Sequence, residues 1–261
     1  MSEELLYAVE EGVATITLNR PDKMNAFTKA MIDRWADALL EAQADQSVHV
    51  IIVTGAGRAF CAGGDLGSMG KAEPTSLDHK RFIWERVHRI PLALEAMDKP
   101  VIAMVNGVAA GAGLDMTLMC DLRFASDQAK FAESYVKVGV VPGDGGAYFL
   151  PRLVGVDRAL EMLWTGDFVT AQEAERIGLV TRVFPHAELA ERTYAFAKRI
   201  ASGPPLAIRM TKRAVYQCQR TDLRTALDLI SSHVAITMQS EDHREGIDAA
   251  KNKRTPHFAG K

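Results

Sequence analysis

Residues 99–120, KPVIAMVNGVAAGAGLDMTLMC, decide how the chain is read. Val101 to Val105 is a short, apolar, partly β-branched run behind Pro100, the pattern of a buried strand. Asn106-Gly107 breaks it, and small residues then run from Ala109 to Gly113. Leu114, Leu118 and Met119 follow at helical spacing around one acid, Asp115. A strand, a cramped turn and a helix start leave backbone N–H groups free to face a ligand. Asp115, set among Leu114, Met116, Leu118 and Met119, must be paired, hydrogen-bonded or driven toward its protonated form. Two readings stand at this point: an active-site acid, or a helix-start carboxylate satisfied by backbone N–H groups.

Working outward, residues 5–10 and 13–18 are expected to be strands that turn at Glu11-Gly12. From Phe27 to Ala44, Met31, Trp35, Leu39 and Ala42 mark one face of an amphipathic helix. Val48 to Thr54, dense in Val and Ile, is expected to be a central strand, and it runs into a second small-residue bend, Gly55 to Asp65. Residues 66–74 are weakly patterned and read as a loop; 76–97 read as helix interrupted near Pro91, and 121–125 as a strand. This alternation predicts crossover units and a mainly parallel sheet, an α/β class. Residues 131–141 lead into the turn Pro142-Gly143-Asp144-Gly145-Gly146. Helices are expected at 156–164 and from Thr170, whose partner Glu173 completes a capping-box pattern, to Ile177. A strand at 179–184 follows, and then helices at 187–201, 205–219, about 221–238 and 241–252.

Composition narrows the function. The 261 residues carry 31 basic against 33 acidic side chains, with no charged block, which speaks against nucleic acid as the partner. No stretch approaches the roughly 18 to 20 apolar residues of a membrane span. The start, MSEELLYAVEEG, has neither a basic segment nor an apolar signal core, so a cytoplasmic protein is expected. Cys61, Cys120 and Cys218 are few and widely separated, as in a reducing compartment, and form no close metal-binding pair. None of the seven His residues falls in a metal-ligand cluster, so no metal is expected. The dinucleotide pattern G-x-G-x-x-G with its distant acid, the phosphate loop G-x-x-x-x-G-K-[ST] and the hydrolase elbow G-x-S-x-G are all absent.

Two glycine-rich bends after strands, at 61–65 and 107–113, could aim their N–H groups at one oxygen if both lie at the same end of a sheet. The alternative is that small residues only let helices pack closely. Asp144 is either a turn residue or a second acid, Asp65 most simply holds its own loop, and Tyr135 either lines a cavity or fills the core.

These segments resemble the enoyl-CoA hydratase/isomerase (crotonase) superfamily along essentially the whole chain. The resemblance is carried by Asn19-Arg20-Pro21 with Asn25-Ala26, by Gly57 to Leu66, and by Lys99-Pro100 through Gly113. It continues in Cys120 to Arg123, Phe131-Ala132, Gly139 with Pro142 to Gly146, and Ala171 to Ala174 with Gly178 to Val180. It implies a spiral of ββα turns over residues 1–200 and a helical region, 201–261, for oligomerisation and pocket closure, assembled as a homotrimer or a dimer of trimers. It implies an acyl-CoA substrate, with coenzyme A part of the thioester and no permanently bound cofactor. By motif, the two N–H donors for the thioester oxygen fall on Ala62 and Ala112, and CoA contacts on Met24, Ala26, Ala62, Gly64, Asp65, Leu66 and Lys253.

The acids depart from the family pattern. Of two glutamates typical of hydratases, the first position is Asp115 and the second is Tyr135, a phenol too weakly acidic to serve as a base at neutral pH. The working aspartate of several relatives aligns with Gly143, one residue before Asp144. The resemblance implies hydration of a 2-enoyl-CoA with Asp115, Asp144 and Tyr135 at the site. Double-bond isomerisation is the alternative, and a non-catalytic acyl-CoA-binding or RNA-binding paralogue is a third reading.

Overall fold

The computed structural model describes residues 3–65, 67 and 75–261. The chain opens with the hairpin β1 (Leu5–Glu10) and β2 (Val13–Leu18), followed by α1 (Lys29–Ala44) and β3 (Val50–Gly55). Next come β4 (Ala59–Cys61), α2 (Ser76–Phe82), α3 (Arg89–Ala96), β5 (Val101–Val105), β6 (Val108–Ala110) and α4 (Ala112–Leu118). After β7 (Leu122–Ser126) and β8 (Lys130–Ala132) stand α5 (Gly146–Val154), α6 (Val156–Thr165), β9 (Val169–Thr170), α7 (Ala171–Arg176) and β10 (Arg182–Phe184). The chain closes with α8 (Leu189–Ala201), α9 (Pro205–Cys218), α10 (Leu223–Met238) and α11 (Glu241–Asn252).

The main sheet has the order β1-β2-β3-β5-β7-β10 and is parallel except for the β1–β2 hairpin. Its central strands bury every apolar side chain because both faces are covered. Ile51, Val53, Val101, Ala103 and Val105 join Trp35 and Leu39 of α1 in the larger core. Val50, Ile52, Ile102 and Met104 face the other way and pack with Leu189 and Ala197 of α8. Thr28 starts α1 by accepting the Met31 N–H at 3.0 Å, which satisfies one donor of the first turn.

A second sheet, β4-β6-β8-β9, positions the site and was not among the expected elements. Its strands are two or three residues long, too short to show an alternating pattern. The helix expected over 76–97 breaks before Pro91, at a π-helical segment over Ile83–Val87. The irregular 131–141 stretch contains β8 and a single 3₁₀ turn over Ser134–Val138. The 66–74 loop lies outside the described residues except for Gly67.

The Cys120 to Arg123 motif proves to be scaffolding. Asp121 accepts the Val101 N–H at 2.7 Å and pairs with Lys212. The buried Arg123 guanidinium donates to the carbonyls of Leu179 and Cys120, tying the end of α4 to the segment before β10.

Candidate active site

Because β4 and β6 pair in parallel, with Ala59 opposite Val108 and Cys61 opposite Ala109, the turns that follow them lie at the same sheet end. They also touch. A Cβ on Gly63, whose φ is +95°, would come 2.9 Å from the Ala110 carbonyl and 3.5 Å from the Ala112 nitrogen. Ala112 is the first residue of α4, so its N–H has no partner within the helix.

The donor at the other turn is not the one expected. Ala62 donates its N–H to the Met24 carbonyl at 3.0 Å, which removes it as a free donor. Two residues on, Gly64 forms a parallel bridge with Phe27 through the Gly63 carbonyl and the Asp65 N–H. In that geometry the N–H of Gly64 itself points to the opposite side, and no acceptor meets it among the described residues. The motif alone does not separate Ala62 from Gly64, because the choice depends on which way each peptide faces.

The loop before α1 is fixed by Asn25, fully buried, whose amide donates to the carbonyls of Ala56, Ala59 and Phe60 and accepts from the Arg20 N–H. Met24 and Ala26 stand half-buried beside it. Asp65 pairs with Arg20 at 3.0 Å and accepts the Gly67 N–H, so its carboxylate holds the loop as the simpler reading had it. Leu66 lies outside the described residues. Lys253 ends α11 in the left-handed region and is exposed; among the described residues no hydrogen bond or ion pair joins its side chain to the site.

Beneath the turns lies a chain of acids. The Tyr135 hydroxyl is 2.8 Å from Asp115 Oδ2 and 2.7 Å from Asp144 Oδ2. Asp144, ambiguous in the sequence, therefore belongs to the same cluster as Asp115. His88 Nε2 donates to the Gly143 carbonyl at 2.8 Å and holds the turn that carries Asp144. Glu133, which no motif singles out, is fully buried behind Asp115. An acid directly after a buried strand, Phe131-Ala132, was the one available signal. Gly146 permits this crowding: a Cβ there would sit 2.3 Å from Asp115 Oδ1 and 3.1 Å from Glu133 Oε1.

Burial sets the electrostatics. Desolvation, helped by the Asp144 charge, pushes Asp115 up to about 6, against hydrogen bonds from Tyr135 and Glu133 and the Gly146 N–H that draw it down. Glu133 is pushed up to about 10 by burial and then by the charge of Asp115. Asp144 is raised by burial, while Tyr135 and His88 oppose the rise. Burial and the two aspartates drive the Tyr135 phenol far above its ordinary value, so it stays protonated. Two aspartates raised by burial and joined through a neutral hydroxyl can pass protons between them, and Asp115, lifted to about 6, can serve as a base at neutral pH. Among the described residues no group of three or more His, Cys, Asp or Glu side chains is arranged to hold a metal ion.

The family model described as enoyl-CoA hydratase/isomerase matches residues 8–261. The chain belongs to the enoyl-CoA hydratase/isomerase family. It is an enzyme of that family, with the mixed α/β crotonase-type fold and a helical C-terminal region. It is 36% identical to the 1,2-epoxyphenylacetyl-CoA isomerase of Escherichia coli K12, covering 100% of both chains. It is equally, 36%, identical to the crotonyl-CoA hydratase of Syntrophomonas wolfei over 99% of each. An enoyl-CoA hydratase structure from Bacillus anthracis superimposes with a TM-score of 0.92 at 34% identity, covering 99% of this chain and 100% of that one. A relative named as an epoxyphenylacetyl-CoA isomerase and one named as a hydratase thus stand at equal identity.

Proposed function

We propose that the protein is an enoyl-CoA hydratase that adds water across the 2,3 double bond of a 2-enoyl-CoA thioester. The observation that carries this reading is the Asp115–Tyr135–Asp144 hydrogen-bonded chain beneath two turns with unpartnered N–H groups. The thioester oxygen lies against the N–H groups of Ala112 and Gly64, whose pull grows as the oxygen becomes an enolate. The ionised member of the aspartate pair takes a proton from water as the oxygen–C3 bond forms and the alkene electrons move onto the thioester oxygen. The protonated member then delivers its proton to C2 as the enolate collapses. Tyr135 resets the pair by accepting a proton from one aspartate while giving its own to the other. CoA runs along Met24, Ala26 and the 62–64 turn, with Lys253 reaching it from the C-terminal segment; no further cofactor takes part, and the enzyme works in the cytoplasm.

Double-bond isomerisation is favoured by one specific feature: the phenol between the carboxyls can pass a proton from one aspartate to the other without water. Proton NMR in D₂O, with a short 2-enoyl-CoA and its 3-enoyl isomer, separates the two. A 3-hydroxyacyl-CoA product is the expected result. Interconversion of the alkenes with no hydroxylated product would make the enzyme an isomerase.

A further inference from the structure

Glu133 is the buried acid beside the aspartate pair that this chemistry does not use. Its side chain is fully buried, and among the described residues neither carboxyl oxygen meets a donor; Asp115 Oδ1, which crowds the same space beside Gly146 as Glu133 Oε1, has no side-chain donor either. Two facing carboxylates so placed would repel with nothing between them. One proton on Glu133 removes the repulsion and makes the glutamic acid a donor to Asp115 Oδ1.

The proton count of the chain agrees. Glu133, Asp115, Tyr135 and Asp144 stand in a row with three contacts between them, and each contact needs one hydrogen. The phenol supplies one, so two more must reside on the three carboxyls, which leaves a single negative charge. Burial and the neighbouring charges of Asp115 and Asp144 also push Glu133 toward its neutral form. The groups around it are Asp115 from α4, Asp144 from the turn before α5 and Tyr135 from its own turn. His88 and Cys61 lie beyond, toward Asp144.

We propose that Glu133 is a positioning residue: it keeps its proton through the working pH range and donates it to Asp115 Oδ1, which confines the site's one negative charge to the Asp115–Tyr135–Asp144 segment. This rests on the reading of Asp115 as a working acid of the site. Glu133 touches no substrate and acts through Asp115.

The test is the pH profile of kcat/KM for the wild type, Glu133→Gln and Glu133→Met with a short 2-enoyl-CoA. Gln keeps a neutral donor, so the acid limb stays within about 0.3 pH unit. Met removes the donor, so the limb rises by about one unit. A limb that falls in Glu133→Gln means that Glu133 was ionised; limbs unmoved in both variants mean that it only fills space. Either result overturns the proposal.

A second readout does not depend on activity, and so stands even if Asp115→Asn shows that Asp115 is not the working acid. In the folded state Glu133 holds its proton up to about 10, but the unfolded chain releases it near 4.5. Its stabilising contribution is therefore present below about 4.5 and is lost as pH rises toward 10. The thermal stability of Glu133→Gln relative to wild type must then climb between about pH 5 and 9, by up to tenfold in the folding equilibrium per pH unit. A difference that stays flat across that range overturns the proposal. The Gln variant alone decides this arm if the Met variant does not fold.

Discussion

At the scale of single residues, Tyr135 is the member whose removal isolates the two aspartates. Tyr135→Phe deletes one hydroxyl, leaves Asp115 Oδ2 and Asp144 Oδ2 without their shared donor, and keeps the ring in place. A loss of about 10²-fold in kcat with little change in folding is expected from steady-state kinetics and circular dichroism. Gly146→Ala tests crowding instead of chemistry. Its methyl must displace Asp115 Oδ1, 2.3 Å away, so activity should drop at least tenfold and stability by about 1 to 3 kcal/mol, read from denaturant unfolding. The acid limb of kcat/KM carries a sign of its own. Asp115 acts as a base only when ionised, and burial lifts it to about 6; the rate should therefore fall about tenfold per pH unit below 6 and level off above it. A limb near 4 would mean that the acid is solvated.

At the scale of elements, the turns converge because β4 and β6 run parallel in the small second sheet. The sequence marked both turns and Asp115, since a strand, small residues and a lone acid at helical spacing make a local pattern. It could not mark the sheet that aligns them, whose short strands carry no period, nor the peptide orientation that replaces Ala62 with Gly64 as the free donor. For Asp144 the choice between turn residue and second acid stayed open in the sequence, because its meeting with Tyr135 depends on a turn pinned by His88 from a distant helix end. The long helices were read closely from their spacing and caps: α1 begins two residues later than expected because Thr28 caps it. Thr28→Ala should lower stability by about 1 kcal/mol in a thermal or denaturant melt and leave kcat unchanged.

At the scale of the whole molecule, the C-terminal helices leave apolar side chains uncovered. Val215, Leu223, Leu227, Ile230, Val234 and Met238 are exposed, and α9 buries no residue completely. Such a surface suits contact with further copies of the chain, in line with the proposed homotrimer or dimer of trimers. Light scattering behind size exclusion should give three or six times the 28.5 kDa chain mass, and a stable monomer would refute the assembly. No helix among the described residues is long and apolar enough to cross a membrane. The functional reading converges on one side chain. The first measurement is turnover of a short 2-enoyl-CoA by the wild type and by Asp115→Asn, each paired with its affinity for the CoA product. A loss of about 10² to 10⁴ in kcat with product affinity unchanged is the result predicted for a carboxylate that moves the proton; near-normal turnover in the variant would contradict it.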